Sequence, residues 1–398
     1  MFVFVCYAVR EDDVLHNRAV SVPGNKQALL FTELFREKYG KDFKCITIPP
    51  RQASLRDFKK KSLLQGKQLI PGVNAREIIY INLPIIKIFS IRVQLYKALK
   101  QLCKENKNKD MVVMSVNSNA CVSKPIIRLK KKYGFKTGIY LSDMPFEENY
   151  NKSFLKKIIT KYDNYVRLKA LDEYDGSISG VDYLNEKYFK NKKYTRIDPA
   201  LEIECYKQPF TKKDHNGCIN VVYTGSLNDN YNIPNIIEAF CGLPEKYNIY
   251  FYGRGQYVAL IEEKSKDHSN IHYMGYLEFK DIVKVQQDAD ILITLLDTDK
   301  NISKYAVPSK IFDYLCTGVP IISSNVLSVI DEVKSFVTLV DDHSVEDIKN
   351  TIIRITENEE EKSNAFKKAL AGQQYVFENC NWDVQIKRIN DFLVEAYE

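Results

Sequence analysis

The run from Tyr305 to Pro320 (Tyr-Ala-Val-Pro-Ser-Lys-Ile-Phe-Asp-Tyr-Leu-Cys-Thr-Gly-Val-Pro) gathers the residues with the most chemistry to offer. Pro308 suits the first turn of a helix, because its ring pre-sets the backbone angle needed there. Ser309 and Lys310 then fall at the helix N-terminus, where free N–H groups and the helix dipole favour an anion. Lys310 adds a full positive charge. Asp313 follows one turn later on the same face. A carboxylate there can accept hydrogen bonds from two hydroxyls, as on a ribose. Gly318-Val319-Pro320 closes the helix and opens a strand.

Three shorter loops each follow a run that reads as a strand. In Tyr223-Thr224-Gly225-Ser226-Leu227, Gly225 lets a ligand approach the backbone, and the N–H groups from Ser226 onward can hold a phosphate. The same residues also describe an ordinary strand-to-helix turn. In Tyr252-Gly253-Arg254-Gly255, two glycines around Arg254 suit packing against a flat ring or a phosphate. A solvated arginine in a glycine turn fits equally well. In Met274-Gly275-Tyr276-Leu277, backbone groups near Tyr276 can read the edge of a nucleobase, or Tyr276 can simply pack.

Other patterns point less firmly to chemistry. Asp297-Thr298-Asp299 has the form of a D-x-D metal motif and reads better as a solvated loop. His268 and His272 have the spacing of a helical metal pair. The stretch from Ile271 reads as a strand, where four residues span about 13 Å and the two rings part. Lys59-Lys60-Lys61 and the segment from Arg92 to Lys109 are strongly basic, with no nucleic-acid module beside them. No metal and no cofactor are expected, and no nucleic-acid partner.

The elements that must hold these loops are legible in outline. The chain has 398 residues, of which 45% are apolar and 27% charged. That composition excludes disordered and disulfide-scaffold classes. Nine scattered cysteines without a C-x-x-C pair suggest reduced thiols and a cytoplasmic chain. The longest apolar stretch, Ile78 to Ile91, is broken by Asn82, Pro84 and Lys87, so no membrane span is expected. Strands are expected at 2–7, 44–48, 78–83, 111–116, 137–141 and 176–180, with helices between. A second series follows at 219–224, 249–252, 271–274, 291–295, 320–323 and 337–339. Short continuous apolar strands between amphipathic helices predict parallel sheets covered on both faces. The fold class is therefore α/β, with two doubly wound, Rossmann-like domains facing a central cleft. The expected boundaries are 1–200, a linker at 201–217, 218–380, and a terminal helix at 381–398 that crosses back to the first domain. Charge divides in the same place. Residues 1–200 carry 38 basic and 20 acidic residues, and the remainder carries 20 and 31. A basic first half implies an anionic partner.

The four loops, taken in order, resemble the nucleotide-sugar site of GT-B glycosyltransferases, especially the retaining family 4 type. The resemblance is specific over residues 218–340 and general over 1–200. It implies that Gly225 and Ser226 lie near a diphosphate, that Arg254 and Tyr276 border the base, and that Gly253 beside Arg254 belongs to the donor-binding set. It further implies that Ser309 and Lys310 hold phosphate and that Asp313 binds ribose, with Pro308 in the same donor-binding set. Gly24, in Pro23-Gly24-Asn25-Lys26, resembles the first domain's glycine loop facing the donor phosphates. The sequence also departs from the family. Tyr305 and Asp313 stand where two glutamates eight apart are usual. Ser226 replaces an arginine, and residues 228–232 hold no lysine. Ser142 replaces a histidine, leaving Asp143 as the catalytic candidate.

The resemblance implies transfer of a sugar from a nucleotide diphosphate donor, a UDP-sugar, with retention. The acceptor would be a glycan or lipid-linked glycan in surface polysaccharide assembly, with peripheral attachment to an anionic membrane surface. A non-catalytic GT-B partner subunit, a sugar-nucleotide epimerase of the same fold and a nucleic-acid binder are the alternatives.

Overall fold

The computed structural model describes residues 1–14, 19–52, 59, 61–84, 86–106, 110–142, 146 and 154–397. The chain divides into two compact units. The first comprises residues 1–179, 184–196 and 388–398, and the second residues 180–183 and 197–387.

The first unit is built on a seven-stranded sheet. Its strands are β1 (Phe2–Cys6), β2 (Phe43–Thr47), β3 (Arg76–Glu77), β4 (Val112–Val116), β5 (Lys136–Leu141), β6 (Gly176–Ser179) and β7 (Lys193–Arg196), in the order 3-2-1-4-5-6-7. Every pairing between them is parallel. All five residues of β1 are buried, as a strand covered on both faces requires. Two glycines of this sheet make room for side chains from the far end of the sequence. Any Cβ at Gly138 would collide with the Tyr397 hydroxyl, and one at Gly176 would sit 3.0 Å from the Phe392 ring. Tyr397 Oη donates to the Thr137 carbonyl at 3.2 Å. Both aromatics lie on the helix Trp382–Tyr397.

The second unit has a six-stranded parallel sheet. Its strands are β8 (Ile219–Thr224), β9 (Tyr247–Tyr252), β10 (Ile271–Tyr273), β11 (Ile291–Thr294), β12 (Ile321–Ser323) and β13 (Thr338–Leu339), in the order 10-9-8-11-12-13. Val221, Tyr223, Ile249, Phe251, Ile291 and Ile293 form the middle of one core layer. In both sheets the order reverses beside the first strand of the unit. The carboxyl ends of the strands at such a reversal are where open α/β sheets bind ligands.

Some expectations shift. The strand expected at 78–83 is not formed; the sheet instead pairs the two residues before it, Arg76–Glu77. Beyond it, Tyr80 turns into the core and its hydroxyl donates to the Pro49 carbonyl at 2.7 Å, so the chain leaves the ladder. The basic segment from Arg92 lies on a helix that begins at Ile86. Residues 201–217 are packed rather than free. Ile203 and Tyr206 enter a core cluster of the second unit, and Lys212 and His215 meet Asp290 at 2.7 and 2.8 Å. The nine cysteines are free thiols.

Beyond the ends of β8, β9 and β10 the backbones stay in register. Gly225 N–H donates to the Tyr252 carbonyl and Gly253 N–H to the Gly275 carbonyl, both at 2.8 Å. Gly253 has φ +143° and no room for a side chain, since a Cβ would collide with the Gly225 carbonyl. Gly275 has φ +78° with open space around it. Gly253→Ala should therefore destabilise the second unit by about 3 kcal/mol or more, through clash and strain together. Gly275→Ala should cost only about 1 kcal/mol, the left-handed backbone penalty alone. Denaturant unfolding of both variants tests the ranking, and equal losses would contradict it.

Candidate functional site

The helix Ser309–Leu315 is fixed to the end of β8 by a buried tyrosine. Tyr314 Oη accepts from Thr224 N–H at 2.8 Å and donates to the Thr224 carbonyl at 3.3 Å. Gln286 Nε2 donates to Thr224 Oγ1 at 2.9 Å, and the Tyr206 hydroxyl donates to Gln286 Oε1 at 3.4 Å. These groups are buried, where hydrogen bonds hold geometry tightly because no water competes for them.

So anchored, the helix sends Lys310 back across Gly225. Any Cβ at Gly225 would collide with the lysine stem. The ammonium donates to Tyr223 Oη at 2.7 Å, and Tyr223 Oη donates onward to the Ser226 carbonyl at 2.6 Å. It also lies 3.1 Å from the Tyr231 ring centroid and 4.7 Å from that of Tyr223. Two aromatic faces therefore share the cation with one hydroxyl. Burial pushes the Lys310 pKa well below its ordinary value, with the Asp313 charge opposing. Burial also pushes Asp313 up to about 7, against the pull of Lys310. The two groups do not meet as an ion pair, and among the described residues no hydrogen bond reaches the Asp313 carboxylate. A half-buried cation and a half-buried carboxyl thus sit one helical turn apart, each short of the partners that would stabilise its charge.

The two outer loops come together at the same edge of the sheet. The Arg254 guanidinium stacks on the Tyr276 ring at 4.2 Å, and both side chains are solvent-exposed. Leu227 N–H donates to the Arg254 carbonyl at 2.9 Å and Tyr273 Oη to the Gly253 carbonyl at 3.0 Å, which holds the loop beneath them. The edge therefore offers a flat cationic stack at one side and a half-buried lysine and aspartate at the other. An arrangement of this kind can take a planar base, an anionic bridge and a vicinal diol.

Residues 209–373 match the family model described as glycosyl transferases group 1. The second unit is a group 1 glycosyl transferase domain. The whole chain has the GT-B fold, and the domain it carries makes it a glycosyltransferase. Similar solved structures include the apo form of the lipopolysaccharide outer core galactosyltransferase WaaB, at 12% identity and TM-score 0.65, covering 99% of each chain. The Anabaena HepE protein in complex with UDP matches at 10% identity and TM-score 0.64, again over 99% of each chain. Sucrose-phosphate synthase from Thermosynechococcus elongatus matches at 12% identity and TM-score 0.62, over 98% of each. No curated protein matches the sequence.

Within the glycosyltransferase, the residues singled out in the second unit gather at one sheet edge, with shifts in detail. Pro308 is the N-cap rather than the first helical residue, and the helix is only seven residues long. Ser309 is exposed. The side chain of Lys310, rather than the helix end, brings positive charge to the Gly225 loop. Asp297 pairs with Lys300 at 3.2 Å, and His272 stacks on Tyr250 at 4.5 Å. Tyr305 is buried, with its ring 5.2 Å from that of Tyr183. Tyr231 and Tyr314 were not legible as site residues. They become so only when β8 and the later helix are adjacent.

The first unit corrects one expectation. Gly24 is not in a loop. It lies in the first turn of the helix Val22–Tyr39, where its N–H donates to the N-cap Ser21 hydroxyl at 3.3 Å. Ser-x-Pro is an N-terminal helix signal in its own right. Gly24 still lines a cavity of about 200 Å³, with Tyr7, Ser21, Asn117 and Ser142. Ser142 is held by Asn117, its N–H donating to Asn117 Oδ1 and its Oγ accepting from Asn117 Nδ2, each at 3.0 Å. Asp143 lies outside the described residues.

The raised Asp313 pKa has a testable consequence. Between the ordinary carboxylate range, about pH 4, and about pH 7, the folded chain keeps a proton that the unfolded chain has released. Stability from this group therefore falls as pH rises through that window. Asp313→Asn should remove that slope and leave the ligand-free variant more stable than the parent at pH 8, by about 3 °C in Tm. Melting curves of both proteins across pH check this, and parallel curves would refute it.

Proposed function

We propose that this glycosyltransferase moves a sugar from a UDP-sugar to a hydroxyl of a glycan or lipid-linked glycan, with retention, in cytoplasmic polysaccharide assembly. The observation that carries the reading is the Lys310–Asp313 arrangement at the end of β8. A nucleoside diphosphate would supply what each lacks: an anion for the ammonium and hydroxyl donors for the carboxylate. Arg254 and Tyr276 would border the base, and Ser226 and Ser309 would complete the phosphate contacts. The HepE protein, of the same fold, was solved with UDP, which favours uridine among the bases.

The chemistry follows from charge. Transfer breaks the bond between the sugar and the diphosphate and joins the sugar carbon to the acceptor oxygen. Negative charge builds on the departing diphosphate as the bond breaks. Lys310, already desolvated and fixed by Tyr223, would meet that charge without rearranging, the condition under which electrostatic stabilisation is largest. Lys310 rather than a metal ion would balance the diphosphate. Asp143 would contact the donor sugar or take the acceptor proton. Retention rests on the family 4 resemblance, and the acceptor class on the basic first half of the chain.

Tyr305, where a carboxylate would face the donor sugar, is buried against Tyr183. That favours one second reading, a subunit that binds donor without turning it over.

A thermal-shift series with UDP, GDP, ADP and CMP separates the outcomes. UDP at about a hundred times its Kd should stabilise the chain by about 2.7 kcal/mol. Lys310→Met, which keeps the stem packed, should weaken UDP at least about tenfold by removing a charge-assisted contact. A shift with UDP but no release of UDP from any UDP-sugar in the presence of glycan acceptors would favour the non-catalytic reading. No shift with any nucleotide or UDP-sugar would sink the donor site.

A further inference from the structure

Two cations of the first unit share one buried tyrosine ring. The Arg51 guanidinium lies 5.9 Å and the Lys87 ammonium 5.5 Å from the ring centroid of Tyr80. The same ammonium donates to the Arg51 carbonyl at 2.5 Å. Arg51 follows the end of β2, and Lys87 stands in the first turn of the helix Ile86–Glu105, a turn without an acid. A cation at the positive end of a helix dipole is unfavourable, and a second cation beside it adds repulsion. Both side chains are half-buried, so water screens that repulsion incompletely. Burial above all lowers the Lys87 pKa, and the Arg51 charge adds to it. Among the described residues no carboxylate pairs with Lys87. Glu77, the acid nearest to it in sequence, is taken up by the Ser62 hydroxyl and by Leu63 N–H at 2.6 Å. The Tyr80 ring offsets part of the cost, but the fold supplies no counter-charge.

The pair adjoins the cavity of about 200 Å³ that Gly24 lines, because Pro50 is part of its wall and Arg51 is the next residue. Tyr7, Pro50, Asn117 and Ser142 of that wall follow the ends of β1, β2, β4 and β5, where the order of the first sheet reverses. The wall offers hydroxyls, amides and the rings of Phe31 and Tyr140, with no charged side chain. A neutral polar pocket with aromatic walls suits a sugar ring and gives nothing to an anion. The cations beside it have the opposite character.

We propose that Arg51 and Lys87 form a phosphate site, and that the cavity beside them takes the sugar to which that phosphate is attached. One phosphate would bring the negative charge that both side chains and the helix end lack, through charge-assisted hydrogen bonds. The first unit would therefore bind a sugar phosphate. That this ligand is the acceptor rests on the sugar-transfer reading, whereas the anion site does not. The same chemistry is offered by a soluble sugar phosphate and by a sugar held on a lipid through diphosphate.

The test is calorimetric titration of the full chain with glucose 1-phosphate, glucose and farnesyl diphosphate. Glucose 1-phosphate should bind, weaken as salt rises, and exceed glucose at least about tenfold. Lys87→Met, which keeps the stem against Tyr80, and Arg51→Gln should each weaken it at least about tenfold. The ligand-free Lys87→Met variant should melt no lower than the parent, since it loses a half-buried charge without a partner. Lys310→Met should bind glucose 1-phosphate as the parent does. Farnesyl diphosphate binding more tightly than glucose 1-phosphate, and also lost in Lys87→Met, would name the lipid source; weaker binding would name the soluble one. No binding of either phosphate, equal binding of glucose and glucose 1-phosphate, or parental affinity in both Lys87→Met and Arg51→Gln would overturn the proposal. So would loss of binding in Lys310→Met alone, which would put the phosphate in the second unit. A UDP shift that persists while glucose 1-phosphate fails to bind would remove this site and leave the donor reading. Phosphate binding without any nucleotide shift would do the reverse.

Discussion

The hydrogen bonds between Tyr314 and the backbone of Thr224 hold the candidate site together. They join a short helix, too brief to be stable by itself, to the last residue of the strand that starts the second sheet. Everything at the site inherits its position from that joint. Lys310 reaches Gly225 because the helix is fixed there, and Asp313 shares the pocket because it sits one turn further on. Gly225 in turn sets the level of Gly253, and Gly253 that of Gly275. One buried phenol thus aligns a cation, a carboxyl and three loops from different parts of the chain.

The stability cost at this edge is already met in the ligand-free chain. Lys310 and Asp313 are stripped of much of their water without being given full partners, and their pKa values move in the directions that burial dictates. Such strain is typical of groups kept ready for a ligand. A purely structural pair would have closed into an ion pair, whereas these two stay apart. The Tyr223 hydroxyl, donating to the Ser226 carbonyl and accepting from Lys310, keeps the ammonium aimed at the glycine loop.

How much of this could be read from the sequence depended on how local the signal was. The strand-end glycines were legible because close backbone approach and positive φ restrict the choice of residue at Gly225 and Gly253. The alternating pattern gave two parallel sheets for the same reason, since buried strands must be apolar throughout. Gly24 misled because a glycine says little without its backbone angle, and the stronger signal was Ser21 two residues before Pro23. Ile78–Leu83 misled because an apolar run can enter a core without pairing, as Tyr80 does. The role of Lys310 was half legible. Its charge and position were plain, but the tyrosines that cradle it come from an element some 80 residues away. No local pattern announces such a meeting.

Gly138 and Gly176 have a further consequence. The space they leave is filled by Tyr397 and Phe392, so the first unit draws part of its interior from the end of a sequence that has meanwhile built the whole second unit. During synthesis, which runs from the N-terminus, the early strands emerge long before these two rings exist. Their slots stay open while more than two hundred further residues leave the ribosome. Closing so long a loop adds little to the entropy cost, which grows only logarithmically with length, but it sets an order of events. The second unit is free to fold first, and the first is completed last. A stalled or truncated chain would carry a finished second unit and an unfinished first.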